Sequence, residues 1–225
     1  MIFSVAETEE TVSFTPRTVI VAGFTGRNRA GVDAHIRELM DQGVRPPESV
    51  PAFYMVPPSL LSNAERIKVP TAESSGEAEP VLLCLSDSWY VAVGSDHTAR
   101  DMERVDIGES KRACPKLISS EIWPYEDVRR HWDEIIVRSW ALVNGKKHLY
   151  QEASLAELMT GSQILDALEQ TTMENADGAA IFLGTVPLLT NGFIFSDWYS
   201  VELHDTSEGR HLGFAYSVEV KKGDE

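Results

Sequence analysis

Strand-like segments most constrain what this chain can fold into, because they outnumber the helical segments and do not alternate with them. A doubly wound α/β sheet requires that alternation, so the pattern excludes it. The sequence therefore predicts a mixed α+β fold that is predominantly β, with a few short helices, in one domain over residues 1–225. The predicted strands are residues 11–14, 18–26, 79–85, 89–94, 135–143, 179–187, 198–205 and 211–220.

Helical spacing is confined to three stretches. Residues 30–43 carry apolar side chains at helical intervals, with Gly43 as the expected C-cap, and residues 124–135 indicate a shorter helix. Residues 161–172 also have helical spacing, with Ser162 as the expected N-cap. The five prolines of residues 45–61 predict an extended or turning path there.

Composition excludes several classes of protein. With 225 residues, 43% of them hydrophobic and 24% charged, the chain can bury a full core. A net charge of −15 argues against nucleic acid, whose phosphates require a basic surface. No apolar run is long enough to span a membrane, and the acidic N-terminus lacks the features of a signal peptide. Two cysteines without a CxxC spacing favour reduced thiols, so we expect a cytoplasmic protein with neither nucleic-acid nor membrane partners.

Three carboxylates are candidates for a metal site. Glu77 and Glu79 are two residues apart on a predicted strand, so they project from one face. Asp96 follows the next predicted strand, in the charged stretch "GSDHTARD" at residues 94–101, and would join them if the two strands form a hairpin. Three converging carboxylates suit Mg²⁺ or Mn²⁺. A solvated acidic turn is the alternative explanation of the same residues.

A histidine and a glutamate form the second candidate group. His35 and Glu38 are three residues apart on a predicted helix, where their side chains can touch. A carboxylate bonded to one imidazole nitrogen leaves the other nitrogen free to take a proton from water. The same spacing also fits an exposed pair without a role. Arg100 and Lys111 are candidates for stabilising negative charge, although each taken singly is a solvated cation.

In order along the chain, these segments resemble motifs of the fumarylacetoacetate hydrolase superfamily. Residues 26–61 resemble its "GxNYxxHxxE…P…P…F.KP" opening, "GEAEPVLLCL" is similar to its "ExEL" metal strand, and "GSDHTARDME" is similar to "NDxSARDxQ". "VNGKKHLYQEASLAELM" resembles "VNGExxQxxxTxxM", and "ENADGAAIFLGTVP" resembles "LxPGDxIxTGTP". Several positions depart from these motifs, among them Ser95, His97 and Glu103, which indicates a divergent branch. His97 could add a ligand, a base or a supporting contact.

The resemblance implies a fold, partners and a role for each candidate residue. It implies a β-roll of mixed sheets over residues 61–225, preceded by a segment of about residues 1–60 whose His/Glu helix closes over the site. It also implies a homodimer and a small carboxylate as substrate. The implied metal ligands are Glu77, Glu79 and Asp96; the implied catalytic residues are His35, Glu38 and Lys111; the implied substrate-binding residues are Arg27, Arg100, Glu103 and Thr185.

The resemblance also implies a reaction. We expect hydrolysis of a carbon–carbon bond in a small 2,4-dioxo acid of the acylpyruvate type, dependent on Mg²⁺ or Mn²⁺, with His35 deprotonating the attacking water. Decarboxylation, and hydration or isomerisation, of a 2-oxo acid are alternatives on the same fold. A non-catalytic, metal-stabilised binding protein is another. An iron oxygenase ranks last, because its facial triad needs two histidines.

Overall fold

The computed structural model describes residues 1–41, 43–169 and 176–221. Strands dominate these residues, and the helices are few and short, which confirms the predicted predominance of β structure. The strands are β1 Ile2–Val5, β2 Thr11–Ser13, β3 Thr18–Gly23, β4 Ala52–Val56, β5 Leu61–Ser62, β6 Arg66–Val69, β7 Ser74–Leu85, β8 Ser88–Ala99, β9 Lys116–Ile118, β10 Glu121–Pro124, β11 Ile135–Val143, β12 Lys146–Ser154, β13 Ala179–Phe182, β14 Trp198–Asp205 and β15 Arg210–Val220. The helices are α1 Arg29–Asp41, α2 Arg100–Glu103, α3 Ile107–Arg112, α4 Tyr125–Val128 and α5 Gly161–Glu169.

These strands form two sheets. In the larger one the order is β2-β1-β10-β8-β7-β13-β3-β4, with β9 pairing both β8 and β5. The smaller one has the order β12-β11-β14-β15-β6. The larger sheet mixes parallel pairs, such as β13 with β3, and antiparallel pairs, such as β7 with β8. Mixed pairing of this kind is what the sequence predicted for the fold.

The long hairpin β7–β8 is the central feature of the larger sheet. Ser86 and Asp87 both have positive φ, 48° and 65°, in a two-residue turn whose twist suits a tight hairpin. The strands run in register from Leu85 and Ser88 as far as Ser74 and Ala99. Each is therefore longer than the apolar stretch that predicted it. Residues 94–99 of the charged stretch "GSDHTARD" continue β8 and are buried.

Apolar side chains cover the hairpin on both faces. Leu82 and Val93 belong to a core cluster that also contains Val137 and Val201 of the smaller sheet. The opposite face packs in a second cluster around Phe182. Because apolar layers cover both faces, an ionisable side chain on the half of the hairpin away from the turn is removed from water and needs a partner.

The helices differ from the sequence interpretation in detail. Helix α1 begins one residue early, and Gly43 has φ 88° after it, as expected of a C-cap; residue 42 lies outside the described residues. Ser162 lies within α5, so its predicted N-cap role is wrong. The side chains of Thr160 and Gln163 instead accept hydrogen bonds from each other's backbone N–H groups, as in a capping box. Residues 170–172 of the predicted helix lie outside the described residues.

The remaining predicted helix, residues 124–135, is broken. Only α4 is α-helical, and a short 3₁₀ turn follows at Trp132–Glu134. None of the helices in the described ranges is both long and apolar enough to cross a membrane.

Candidate metal centre

The register of the β7–β8 hairpin places the three candidate carboxylates together. Glu77 pairs directly with Asp96, and Glu79 lies two residues along β7 on the same face. One ligand oxygen from each of the three lies within 4.8 Å of the others. Glu79 and Asp96 are buried, and Glu77 is nearly so. Asp96 lies within β8 rather than after it, as the sequence had placed it, because β8 continues as far as Ala99.

Two lysines contact Asp96. The Lys111 ammonium, from the last turn of α3, donates to Oδ2, and the Lys116 ammonium lies 2.9 Å from Oδ1. Burial raises the pKa of a carboxyl, but the two lysines outweigh it and hold the pKa of Asp96 well below its usual range. Burial opposes the charge of Lys111, yet Asp96, Glu77 and Glu103 raise its pKa above the usual range. The neighbouring carboxylates therefore favour the charged form of Lys111.

Arg100 neutralises the other end of the cluster. It is 2% exposed, and its guanidinium lies 3.1 Å from Glu77 and donates to Glu103 at 2.8 Å and to Ser75 at 2.8 Å. The half-exposed ring of Phe193 stacks on it, 4.1 Å from Cζ to the ring centre. Although burial disfavours the charge, Glu77 and Glu103 raise the pKa of Arg100 above its usual range. Arg100 and Glu103 thus lie at the site, as the sequence predicted.

Among the described residues Glu79 is the carboxylate of the three without a direct ion pair, although the charge of Lys111 partly lowers its pKa. Its side chain accepts a hydrogen bond of 2.9 Å from the Gly184 N–H, and no ion pair reaches it from any residue that the structure describes. Burial and the nearby Asp96 raise the pKa of Glu79 well above its usual range. The ionised form of Glu79 therefore needs a cation close by.

A divalent cation fits this arrangement. Opposite ligands of Mg²⁺ are about 4.2 Å apart, twice the Mg–O distance of ~2.1 Å, so oxygens within 4.8 Å of one another need only small rotations to share one ion. The donors are all carboxylate oxygens, which Mg²⁺ and Mn²⁺ prefer. Two positive charges would also supply the counter-charge that Glu79 lacks. The acidic cluster can thus hold a divalent metal.

Buried amide and hydroxyl groups support the carboxylates from behind. Gln151 accepts hydrogen bonds from the Ala78 N–H and the Ser139 hydroxyl, and donates to Thr185 Oγ1 and to the Val186 carbonyl. Thr185 donates its hydroxyl proton to the Ala78 carbonyl, 2.9 Å away. The hydroxyl of Thr185, a predicted substrate ligand, therefore donates its one proton to β7 and accepts from Gln151 in this structure.

His97 lies on the opposite face of β8 from Asp96 and is not a metal ligand. Its ring nitrogens hydrogen-bond the Tyr216 hydroxyl at 3.0 Å and the Ser74 hydroxyl at 3.1 Å. Burial, with added repulsion from neighbouring cations, lowers the pKa of His97 to about 3, so the ring is neutral. A Cβ at Gly76 would lie 2.1 Å from the Tyr216 hydroxyl, so only glycine allows this close contact. The structure assigns His97 to packing and hydrogen bonding.

Three predicted site residues lie apart from the carboxylates. His35 and Glu38 are exposed on α1, 3.9 Å apart, and α1 has no buried residue. Arg27 forms a two-point ion pair with Asp133 and donates to the Leu158 carbonyl. No hydrogen bond or ion pair among the described residues joins these three to Glu77, Glu79 or Asp96. Their predicted roles in catalysis and substrate binding stay predictions.

Sequence reasoning missed Lys116, Gln151 and Phe193. Gln151 lies in a motif that carried the family resemblance, so its segment was identified but its role was not. Lys116 has no local signal, since its contact depends on the pairing of β9 with β8. Phe193 reads as an ordinary loop residue until the fold brings it onto Arg100.

A model of one protein family matches most of the sequence. The model is described as "Protein of unknown function (DUF2848)", and it matches residues 22–216. The chain belongs to the DUF2848 family. The match takes in α1 and all three carboxylates, so the family covers both candidate groups. No functionally curated protein matches the chain at a significant level.

Solved structures resemble this member of the DUF2848 family over most of its length. Cg1458 matches with a TM-score of 0.65 and 14% identity, covering 92% of this chain and 78% of that one. The apo form of 2-keto-3-deoxy-D-arabinonate dehydratase matches with a TM-score of 0.63 and 15% identity, covering 92% of this chain and 74% of that one. A putative fumarylacetoacetate hydrolase family protein from Yersinia pestis CO92 matches with a TM-score of 0.62 and 15% identity, covering 92% of this chain and 95% of that one. The chain therefore has the fold of fumarylacetoacetate hydrolase family proteins, as its motifs indicated. The dehydratase was also solved complexed with magnesium and 2,5-dioxopentanoate.

Proposed function

We propose that this protein is a divalent-metal-dependent enzyme that acts on a small 2-oxo carboxylic acid. The observation that carries the proposal is the buried convergence of Glu77, Glu79 and Asp96, in which Glu79 has no cation of its own. Burying carboxylates side by side costs free energy, and a bound cation would offset that cost. The magnesium and dioxo-acid ligands of the structurally similar dehydratase point to the same chemistry.

A cation bound by these carboxylates would polarise the substrate oxygens and neutralise negative charge that develops on them. Lys111 and Arg100 line the same cluster as cations in the described structure, so they can stabilise an anionic oxygen or carboxylate of the substrate. One guanidinium nitrogen of Arg100, Nη2, is buried and has no partner with hydrogen-bond geometry in the described chain. The same nitrogen forms the 3.1 Å ion pair with Glu77.

As the reaction, we propose hydrolysis of a carbon–carbon bond in a 2,4-dioxo acid of the acylpyruvate type. Hydrolysis needs a base that deprotonates water, and His35 with Glu38 is the pair proposed for this step. The pair lies on a helix without buried residues, so α1 must approach the carboxylates when substrate binds. Hydrolysis therefore requires that α1 move toward the carboxylates.

A lyase reaction on a 2-oxo acid is the second candidate. It is favoured by the exposure of His35 and Glu38, because decarboxylation of such an acid needs no attacking water. The cations Lys111 and Arg100 already lie at the carboxylates in the described conformation. A decarboxylase would therefore use the site without movement of α1.

The deciding experiment measures turnover of acylpyruvates, oxaloacetate, 2-hydroxydienoates and 2-keto-3-deoxy sugar acids with Mg²⁺, with Mn²⁺ and with a chelator. We expect metal-dependent turnover of an acylpyruvate, reduced about 10²-fold by His35→Ala, since a positioned base contributes that much. Turnover of oxaloacetate that His35→Ala leaves intact identifies the decarboxylase. If no acid is turned over in a metal-dependent way, the proposed function is wrong.

A further inference from the structure

The two oxygens of Asp96 have different partners. Oδ1 lies 2.9 Å from the Lys116 ammonium and accepts a weaker hydrogen bond of 3.3 Å from the Thr98 hydroxyl. Oδ2 accepts from the Lys111 ammonium alone among the described residues. The two lysines thus contact different oxygens of one carboxylate, and they differ in how the rest of the structure fixes them.

Lys116 is fixed by the sheet itself. Strands β8 and β9 pair so that Lys116 lies directly opposite Asp96, on the side away from Glu77. Its ammonium also donates to the carbonyls of His97, at 2.6 Å, and of Cys114, at 3.1 Å. With the ion pair to Oδ1 of Asp96, the ammonium has three oxygen neighbours, as many as it has N–H groups. Lys116 is fully buried, so a ligand cannot reach it.

Lys111 reaches Asp96 from outside the sheet. It lies in the last turn of the short helix α3, and its backbone does not pair with β8. Oδ2 of Asp96 is the one hydrogen-bond acceptor of its ammonium that the described residues show. Lys111 can therefore leave Oδ2 by side-chain rotation, whereas removing Lys116 from Oδ1 requires breaking a buried network.

We propose that Lys116 is a positioning residue that reserves Oδ1 of Asp96 and thereby presents Oδ2 alone to the divalent cation. Lys111 and the cation are then alternative partners of Oδ2. A cation bound to Oδ2 would displace the Lys111 ammonium from Asp96 and leave it available to a substrate anion. This inference rests on the metal site of the proposed function and assigns Lys116 a task within it.

A simpler account predicts the opposite result for Lys116. If both lysines acted only as positive charges, each would repel the cation, and removing either would tighten metal binding. Positioning predicts opposite signs: removal of Lys111 tightens binding because a competitor is lost, and removal of Lys116 weakens it because the carboxylate is released. The sign of the Lys116 effect therefore distinguishes the two accounts.

The test is calorimetric titration of the metal-free full-length protein with Mn²⁺ alone, in wild type, Lys111→Met, Lys116→Met and Lys116→Gln. We expect the Kd to fall at least about tenfold in Lys111→Met. In Lys116→Met we expect it to rise about 10–100-fold, as for other residues that orient a metal ligand. Lys116→Gln keeps an N–H donor and should recover part of the affinity. The melting temperature of each metal-free variant reports folding separately.

Each result has a definite meaning. Tighter binding in both methionine variants, no change in Lys111→Met, or a lower melting temperature in Lys116→Met without a change in Kd overturns the inference. If Lys116→Met does not fold, the Kd of Lys116→Gln carries the test: a Kd above that of wild type supports the inference, and a Kd equal to or below it overturns the inference. If only Lys111→Met binds Mn²⁺, the metal-dependent activity of the wild type fails, and Lys116→Met added to Lys111→Met carries the test: a Kd that falls or stays the same overturns the inference. If no variant binds, both fail.

Discussion

The hairpin β7–β8 and the helix α1 carry the two candidate groups, and they place them in opposite surroundings. On the hairpin, Glu77 and Asp96 face each other in a buried cluster with assigned cations. On the helix, His35 and Glu38 lie 3.9 Å apart with side chains 60% and 73% exposed. Strand register fixes which residues meet and buries them in the same step. Helical spacing brings two side chains together but leaves open what their face contacts.

The largest expected effect comes from removing the buried cation Arg100. Arg100→Met should lower the free energy of unfolding by about 3–5 kcal/mol, because it leaves Glu77 and Glu103 without their partner. Urea denaturation measures the change, and the exposed Arg29→Met on α1 is the matched control. If both substitutions lower the free energy of unfolding equally, the buried cation of the hairpin is no more important for stability than an exposed cation of α1.

Metal-linked stability should depend on the hairpin alone. At 100 times its Kd, a cation that binds only the native state stabilises it by about 2.7 kcal/mol. We expect Glu79→Gln to lose this increment and to gain stability without metal, since a buried acid repelled by Asp96 is removed. Thermal unfolding with and without Mn²⁺ measures both effects. Glu38→Gln should keep the increment, and its loss there would place α1 at the metal.

Acid should destabilise the protein through His97. Its pKa in the folded state is about 3, below the usual ~6.5 of the unfolded chain, so between these values the unfolded state binds the additional proton. Stability from this source is complete above pH ~6.5 and falls toward pH 3. By pH 5 the loss is about 2 kcal/mol, 1.36 kcal/mol for each of ~1.5 pH units. Urea denaturation at pH 7 and pH 5 should show a smaller difference in His97→Gln than in wild type.

The smallest expected effect belongs to the pair on α1. Breaking an exposed ion pair with Glu38→Gln should change the free energy of unfolding by no more than about 0.5 kcal/mol. A larger loss, measured in the same urea series, would mean that α1 is packed against the protein in solution. A small loss of stability accompanied by a large loss of hydrolysis would instead sharpen the comparison, because it separates catalysis from packing.

Local patterns predicted the fold class and the three carboxylates, and failed where burial depends on distant partners. The ends of β7 and β8 that lie away from the turn have polar sequences, so the strands predicted from the apolar residues were too short. These ends are buried because Ser75 accepts a hydrogen bond from Arg100 and His97 hydrogen-bonds Tyr216. Both contacts depend on the tertiary fold. Lys116 escaped notice for the same reason. The roles of His35 and Glu38 depend on where α1 lies during the reaction, which no periodicity specifies.

The β8–β9 pairing has a consequence for how the cluster assembles during folding. Every carboxylate and every cation described in the cluster comes from residues 77–116, a stretch of 40 consecutive positions, and the backbone N–H of Gly184 is the one distant contributor to Glu79. A hairpin with a two-residue turn closes within microseconds, and the following helices and strand bring Arg100, Lys111 and Lys116 by short connections. Charge neutralisation therefore needs no long-range chain closure, and the cluster can form as one cooperative unit before the N-terminal strands join the sheet.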